Sequence, residues 1–378
     1  MSLASRFPAQ SLPENPYLAQ DEIHTAYAHC LGLESLPGWN FSGGLQDASF
    51  NVLQDMAPTV SARVLGHGLR LAPDDAARNV LARDILACQE DQELLAGLAH
   101  LYVFGLIRVF YNPNGPTPAA TPSSTPPETA AQEPPLSIPS SSSPAVLRDL
   151  LMLRDGYRCA FTGSLSLEEF LQNGSDYDPS APLALDQDLN VAHIISHPLS
   201  ETTSAITPAV RAKFEWATTL GAIVEHFGGL TAHCDMLGEG NLHSPKNSFI
   251  STHRPHLAFD MLDLYLLPAK NAQQEVIPDT YEAIYAYGPA LASRLRLDLQ
   301  SQVVFRSYSV DGEVIPAPDP KIIALHAACA QIAHMSGVAE CLGELYRGMD
   351  AIAVMTHPKA PYELSRALKT LQIVSAMT

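Results

Sequence analysis

The chain has 378 residues, with 22 Lys and Arg against 40 Asp and Glu, a formal charge of −18. At about 100–200 residues per domain, that length suits two or three domains. The apolar share of 46% supplies a packed core and excludes a wholly disordered, collagenous or coiled-coil chain. The charge argues against a generic binder of polyanions, which needs clustered Lys and Arg, but leaves room for a small local basic site. Six cysteines (Cys30, Cys88, Cys159, Cys234, Cys329 and Cys341) are spread along the chain without a C-x-x-C pair. Neither a four-thiolate zinc site nor a disulfide scaffold is therefore expected, and an intracellular setting, cytoplasmic or nuclear, fits. The stretch Met1 to Tyr17 lacks the apolar segment of a secretory signal, and no run of 18 apolar residues occurs, so no membrane span is expected.

Residues 1–111 read as a small all-helical unit. A short helix is expected at Pro58 to Leu65, with the proline tolerated in its first turn. Asp74 and Asp75 precede apolar residues at helical spacing (Ala77, Val80, Leu81, Ile85), and Asp91 to Tyr111 is rich in Leu, Ala, Phe and Val. Nothing in this unit has catalytic spacing, so packing or contact with a protein partner is its expected role. Residues 112–144 hold ten of the thirty prolines, with Ser, Thr and Ala making up most of the rest and only Glu128 and Glu133 charged. Such a composition cannot offset its ordering entropy and predicts a semi-extended, disordered linker.

Residues 145–378 form the larger unit. A helix is predicted over Ala145 to Arg154, then a short β-prone run, Tyr157 to Phe161, between the turn signals Asp155-Gly156 and Thr162-Gly163. Asn190 to Ile195 reads as a strand, Ala209 to His226 as a helix, Asn247 to Ser251 as strand or loop, and Arg254 to Met261 as a short helix. Leu262 to Leu267 and Val303 to Tyr308 are β-prone. Helical spacing runs from Pro320 to about Met349, with Asp319 as the N-cap.

The residues that could carry chemistry lie between Arg154 and Asp260. Hydrolysis of a phosphodiester needs a base near neutral pKa, a cation at the leaving oxygen, and a polar brace for the segment that presents the base. His193 on a strand, Asn247 after it, and His256 on a helix occur in that order. His256 and Asp260 are i and i+4, so one helix face carries both, and Phe259 between them is expected to enter the core. Asp260 could be a second ligand or could orient His256.

At RDGYRCAFTG, NVAHII and NSFISTHRPHLAFD the chain resembles the HNH endonuclease family, and more closely the HNH-type domain of uncharacterised fungal proteins. The resemblance covers residues 148–270. It implies an α+β fold: a ββα-metal core with helical additions, preceded by the small all-α unit. It also implies metal-dependent hydrolysis of DNA, with His193 as general base, Asn247 as structural brace and His256 as metal ligand, assisted by Asp260. The ion would be Mg²⁺ or Mn²⁺, with Zn²⁺ an alternative. Ala192 stands where many members carry a ligand just before the base, so Asp188, His197 and His253 are further candidate ligands. Residues 146–270 carry eight Lys or Arg against fifteen Asp or Glu; Arg154, Arg158, Arg211, Lys213, Lys246 and Arg254 form the only local basic track. Two other readings stand beside the nuclease: acid–base chemistry on a small molecule in the His193/His256 pocket, such as a cyclisation or isomerisation, and a non-catalytic interaction protein.

Overall fold

The computed structural model describes residues 9–40, 56–113, 144–174, 177, 183–195, 223–229, 243–310 and 312–347. They form a mixed α+β structure. Among the described residues, four helices make the N-terminal part: α1 (Glu22–Glu34), α2 (Pro58–Leu71), α3 (Asp75–Ala87) and α4 (Gln92–Leu101). Asp74 caps α3 by accepting the Ala77 amide at 2.8 Å, and Asp91 caps α4 through the Glu93 and Leu94 amides at 2.8 and 3.1 Å. The chain after α4 continues through a π turn (Tyr102–Leu106) and a 3₁₀ turn (Ile107–Phe110). By length and composition the run Gln92–Phe110 could cross a membrane, but 72% of its apolar window is buried inside the protein, as in a core helix.

Two expectations for this part needed correction. Helix α2 continues to Leu71, six residues beyond its expected end, because Leu65 and Leu69 keep one face in the core. Helix α1 has no counterpart among the expected elements; its buried stripe is Ala26, Tyr27, Cys30 and Leu33, too short and too mixed in chemistry to stand out as periodic.

The larger part opens with α5 (Pro144–Arg154). Then follow β1 (Leu165–Ser166), α6 (Leu167–Asn173), β2 (Leu185–Asp186), β3 (Leu189–His193), β4 (Ser248–Thr252) and α7 (His253–Asp260). Strand β1 pairs with β2 in parallel, and β3 with β4 antiparallel, placing His193 opposite Ser248. Beyond α7, β5 (Leu264–Lys270), β6 (Val276–Tyr285) and β7 (Val303–Val304) build a three-stranded antiparallel sheet in that order, with α8 (Pro289–Arg294) between β6 and β7. A hairpin of β8 (Tyr308–Val310) and β9 (Glu313–Ile315) leads to α9 (Pro320–Ser336) and α10 (Val338–Arg347).

Helix α9 is the axis of the fold. Eleven of its residues are buried on all sides of the helix, and it packs on α2 and β5 at once. Asp319 caps it through the Lys321 amide at 2.9 Å. Two backbone bonds tie the N-terminal part to the larger part: Gln10 N–H to Met335 O at 2.8 Å and Asn112 N–H to Asp260 O at 2.7 Å. One hydrophobic cluster consequently runs from the N-terminal helices through α9 to β5 and β6. The single helix expected from Pro320 to Met349 is broken at Gly337, whose φ of +87° is the left-handed conformation that ends a helix.

The β-prone run Tyr157–Phe161 is not a strand. Gly156 and Tyr157 both have positive φ, +62° and +57°, so the chain turns back where it should extend. It forms an isolated bridge from Arg158 to Leu165 and no ladder. Val303–Tyr308 splits into β7 and the start of β8. Of the helix expected at Ala209 to His226, residues 223–226 are helical within a turn over 223–228, and 209–222 lie outside the described residues. The proline-rich stretch between 114 and 143 and the candidate ligand His197 lie outside them too.

Candidate functional site

Strand β4 is buried along its whole length. Its inner edge pairs with β3, and among the described residues no strand pairs with the alternate backbone groups on the other edge. The segment after α5 covers that edge with side chains. Arg154, its side chain fully buried, forks onto Asp155 with Nε to Oδ1 at 2.7 Å and Nη2 to Oδ2 at 3.1 Å. The same guanidinium donates to Ser248 O and Pro245 O at 2.7 Å, and to Pro316 O at 2.9 Å. Asp155 Oδ2 accepts the Ile250 amide at 2.8 Å, Ala160 N–H reaches Ile250 O at 2.8 Å, and Cys159 Sγ accepts the Thr252 amide at 3.3 Å. Arg154 therefore does not belong to a basic track: all its donors are used inside the fold, on Asp155, Pro245, Pro316 and Ser248. Cys159 is a buried thiol in the same seam.

Asn247 ends the 3₁₀ turn (Pro245–Asn247) that precedes β4, and its side chain is completely buried. It holds the segment just beyond His193 at three points. Its carbonyl accepts the Ile194 amide at 2.8 Å, Oδ1 accepts the Ile195 amide at 2.9 Å, and Nδ2 donates to Ile195 O at 3.2 Å. A primary amide presents an acceptor and a donor side by side, which matches the amide and carbonyl of one residue. His193 sits half-buried at the end of β3, its ring edge-on to that of His243 with centroids 5.3 Å apart.

Helix α7 follows β4 without a loop and packs against both strands. Phe259 enters the core, stacked on the His326 ring at 3.8 Å between centroids. Burial pushes the His326 pKa down to about 3, so the ring is neutral. His256 and Asp260 share a face, each 3% exposed, with Nε2 and Oδ2 3.4 Å apart. Burial, with a smaller contribution from His253, lowers the imidazole pKa to about 4; burial raises the carboxyl to about 8. At neutral pH both are uncharged, which is how an interior holds such a pair at least cost.

His253 and Arg254, on the same helix, are exposed. Lys246 is exposed beside Asn247, and Asp188 is exposed on the turn before β3. Arg158 donates to Gly163 O at 2.9 Å and lies 5.9 Å from the Tyr177 ring centre. The structure thus brings together His193 with Asn247 and His256 with Asp260, while Asp188, His253, Lys246 and Arg254 point to solvent. Two contributors escaped the sequence reading. His243 lies fifty positions from His193 with no spacing signal, and the role of Arg154 depends on carbonyls far along the chain.

His256 Nδ1 has no hydrogen-bond partner among the described residues, and the neutral imidazole is the form that binds a metal. With Asp260, which would have to lose its proton, it offers two donors of a divalent site. Among the described residues no group of three His, Cys, Asp or Glu converges. Compared with protein-family models, curated proteins and solved structures, the chain gives no match.

Proposed function

We propose that β3, the Asn247 turn, β4 and α7 form an HNH-like module that hydrolyses phosphodiester bonds of DNA, with His193 as the general base. The observation that supports this reading is the grip of Asn247 on Ile194 and Ile195, immediately beyond His193. A base must be held in place to work on a bound water, and three hydrogen bonds fix the backbone beside it. His193 takes the proton of the attacking water; Asn247 keeps the ring at the strand end. A divalent cation held by His256 and Asp260 would supply charge stabilisation at the phosphate.

The edge-on His193–His243 pair favours a second reading, acid–base chemistry on a small molecule, since two adjacent imidazoles can serve as base and acid. Nicking of supercoiled plasmid by the full chain separates the two. The nuclease reading expects nicking with Mg²⁺ or Mn²⁺, none with EDTA, and a loss of about 10²–10⁴-fold in His193→Ala. It fails if the wild-type chain does not nick with either ion, or if His193→Ala nicks equally well.

A further inference from the structure

The outer face of α7, away from His256, lines a cavity of about 540 Å³. Arg254 stands on it, and Arg294 and Arg296 reach it from the end of α8. Leu257, Met261 and Leu297 give it an apolar floor. All three arginines are exposed, in a chain whose formal charge is −18. Arg254 spends one N–H on Leu295 O at 3.3 Å. Among the described residues, Arg294 and Arg296 form no ion pair. The one carboxylate on the wall, Asp263, is engaged elsewhere: its Oδ1 lies 3.3 Å from His334 Nε2, and Tyr287 hydrogen-bonds to it. Three arginines thus line the cavity against a single carboxylate, Asp263, that is already hydrogen-bonded to other groups.

The backbone adds an independent observation. Helix α8 ends in a paired closure, with Arg296 N–H on Ser293 O at 3.0 Å and Leu297 N–H on Ala292 O at 3.1 Å. In that closure the residue after the cap adopts positive φ, a place that glycine fills without strain. Here it is Arg296, with φ of +53°. The turn gains nothing from a long cationic side chain at a strained position, whereas a ligand at the cavity would.

We propose that this cavity binds a phosphate monoester with an apolar body, the phosphate held by Arg254, Arg294 and Arg296 and the body resting on Leu257, Met261 and Leu297. A doubly charged, three-oxygen group matches several guanidinium forks, and the floor rewards an apolar substituent. The site lies outside the proposed hydrolytic centre and does not depend on it.

Calorimetric titration of the full chain with phenyl phosphate, beside inorganic phosphate and benzoate, tests this. Saturable one-to-one binding of phenyl phosphate is expected, at least tenfold tighter than of either comparison compound. Arg296→Gly should melt at a higher temperature than wild type and bind at least tenfold more weakly; Arg294→Gln should bind at least tenfold more weakly with its melting temperature unchanged. The proposal is overturned if phenyl phosphate shows no saturable binding, if inorganic phosphate or benzoate binds equally well, or if both variants bind like wild type. A lower melting temperature in Arg296→Gly would also overturn it, because Arg296 would then serve the fold.

Discussion

Arg154 and Asp155, neighbours in the chain, form a buried fork-to-fork ion pair whose remaining hydrogen bonds close the open edge of β4. A buried pair of this kind does not stabilise through its charges alone, since desolvation takes back much of the attraction. Its value lies in ending several backbone groups that the absence of a strand on that side would leave unpaired.

Arg154→Ala should cost about 3–5 kcal/mol, the scale for stranding one partner of a buried pair. Arg154→Lys should recover only part of that, because a single ammonium cannot bridge Asp155, Pro245, Pro316 and Ser248 together. Urea unfolding of the two variants checks the order; an Arg154→Lys chain as stable as wild type would contradict the bridging role.

Asn247→Ala should destabilise by about 1–3 kcal/mol, since the amide and carbonyl of Ile195 lose buried partners. His193→Ala should change stability by less than about 1 kcal/mol, because the ring is only half-buried. If the hydrolytic reading holds, both variants lose turnover, the first by displacing the base and the second by deleting it. Denaturation curves beside plasmid nicking separate the two effects.

The His256–Asp260 pair predicts a pH dependence of stability. Asp260 is raised from 3.8 to about 8, so the folded state keeps a proton that the unfolded chain releases; its contribution is full below about pH 4 and is lost as pH rises towards 8. His256 is lowered from 6.5 to about 4, so its effect runs the other way, and stability rises with pH between those values. The two slopes oppose each other up to pH 6.5, above which only that of Asp260 remains. From pH 6.5 to 8 the wild type should lose about 2 kcal/mol relative to Asp260→Asn, which stays neutral. Parallel unfolding free energies for the two proteins across that interval would refute the assignment.

Gly337→Ala should cost about 1–2 kcal/mol, because φ of +87° is unfavourable for any side chain. A methyl there would also meet Ala9 Cβ at 3.0 Å. A melting temperature lowered by a few degrees is the expected reading.

Some of this was legible along the chain. Asp74, Asp91 and Asp319 each announce the helix they cap, since a cap acts on amides two or three residues away. The i, i+4 meeting of His256 and Asp260, and the inward turn of Phe259, follow from helix geometry alone. The order of strand, Asn247, strand and helix was likewise readable. The β-prone reading of Tyr157–Phe161 failed because propensity sees the side chains of a run but not the two left-handed residues that turn it.

What lies far apart in the chain was decided only by packing. Arg154 meets Pro316, 162 positions away; His243 comes beside His193; and Arg254 joins Arg294 and Arg296 over one cavity. Caps, turns and periodicity act within one or two helical turns, so amino-acid order alone determines them. Which distant groups become neighbours depends on how α9 draws the N-terminal helices onto β5, and on which edge of β4 is left without a strand. Those choices are made by burial of the whole core, and no local pattern records them.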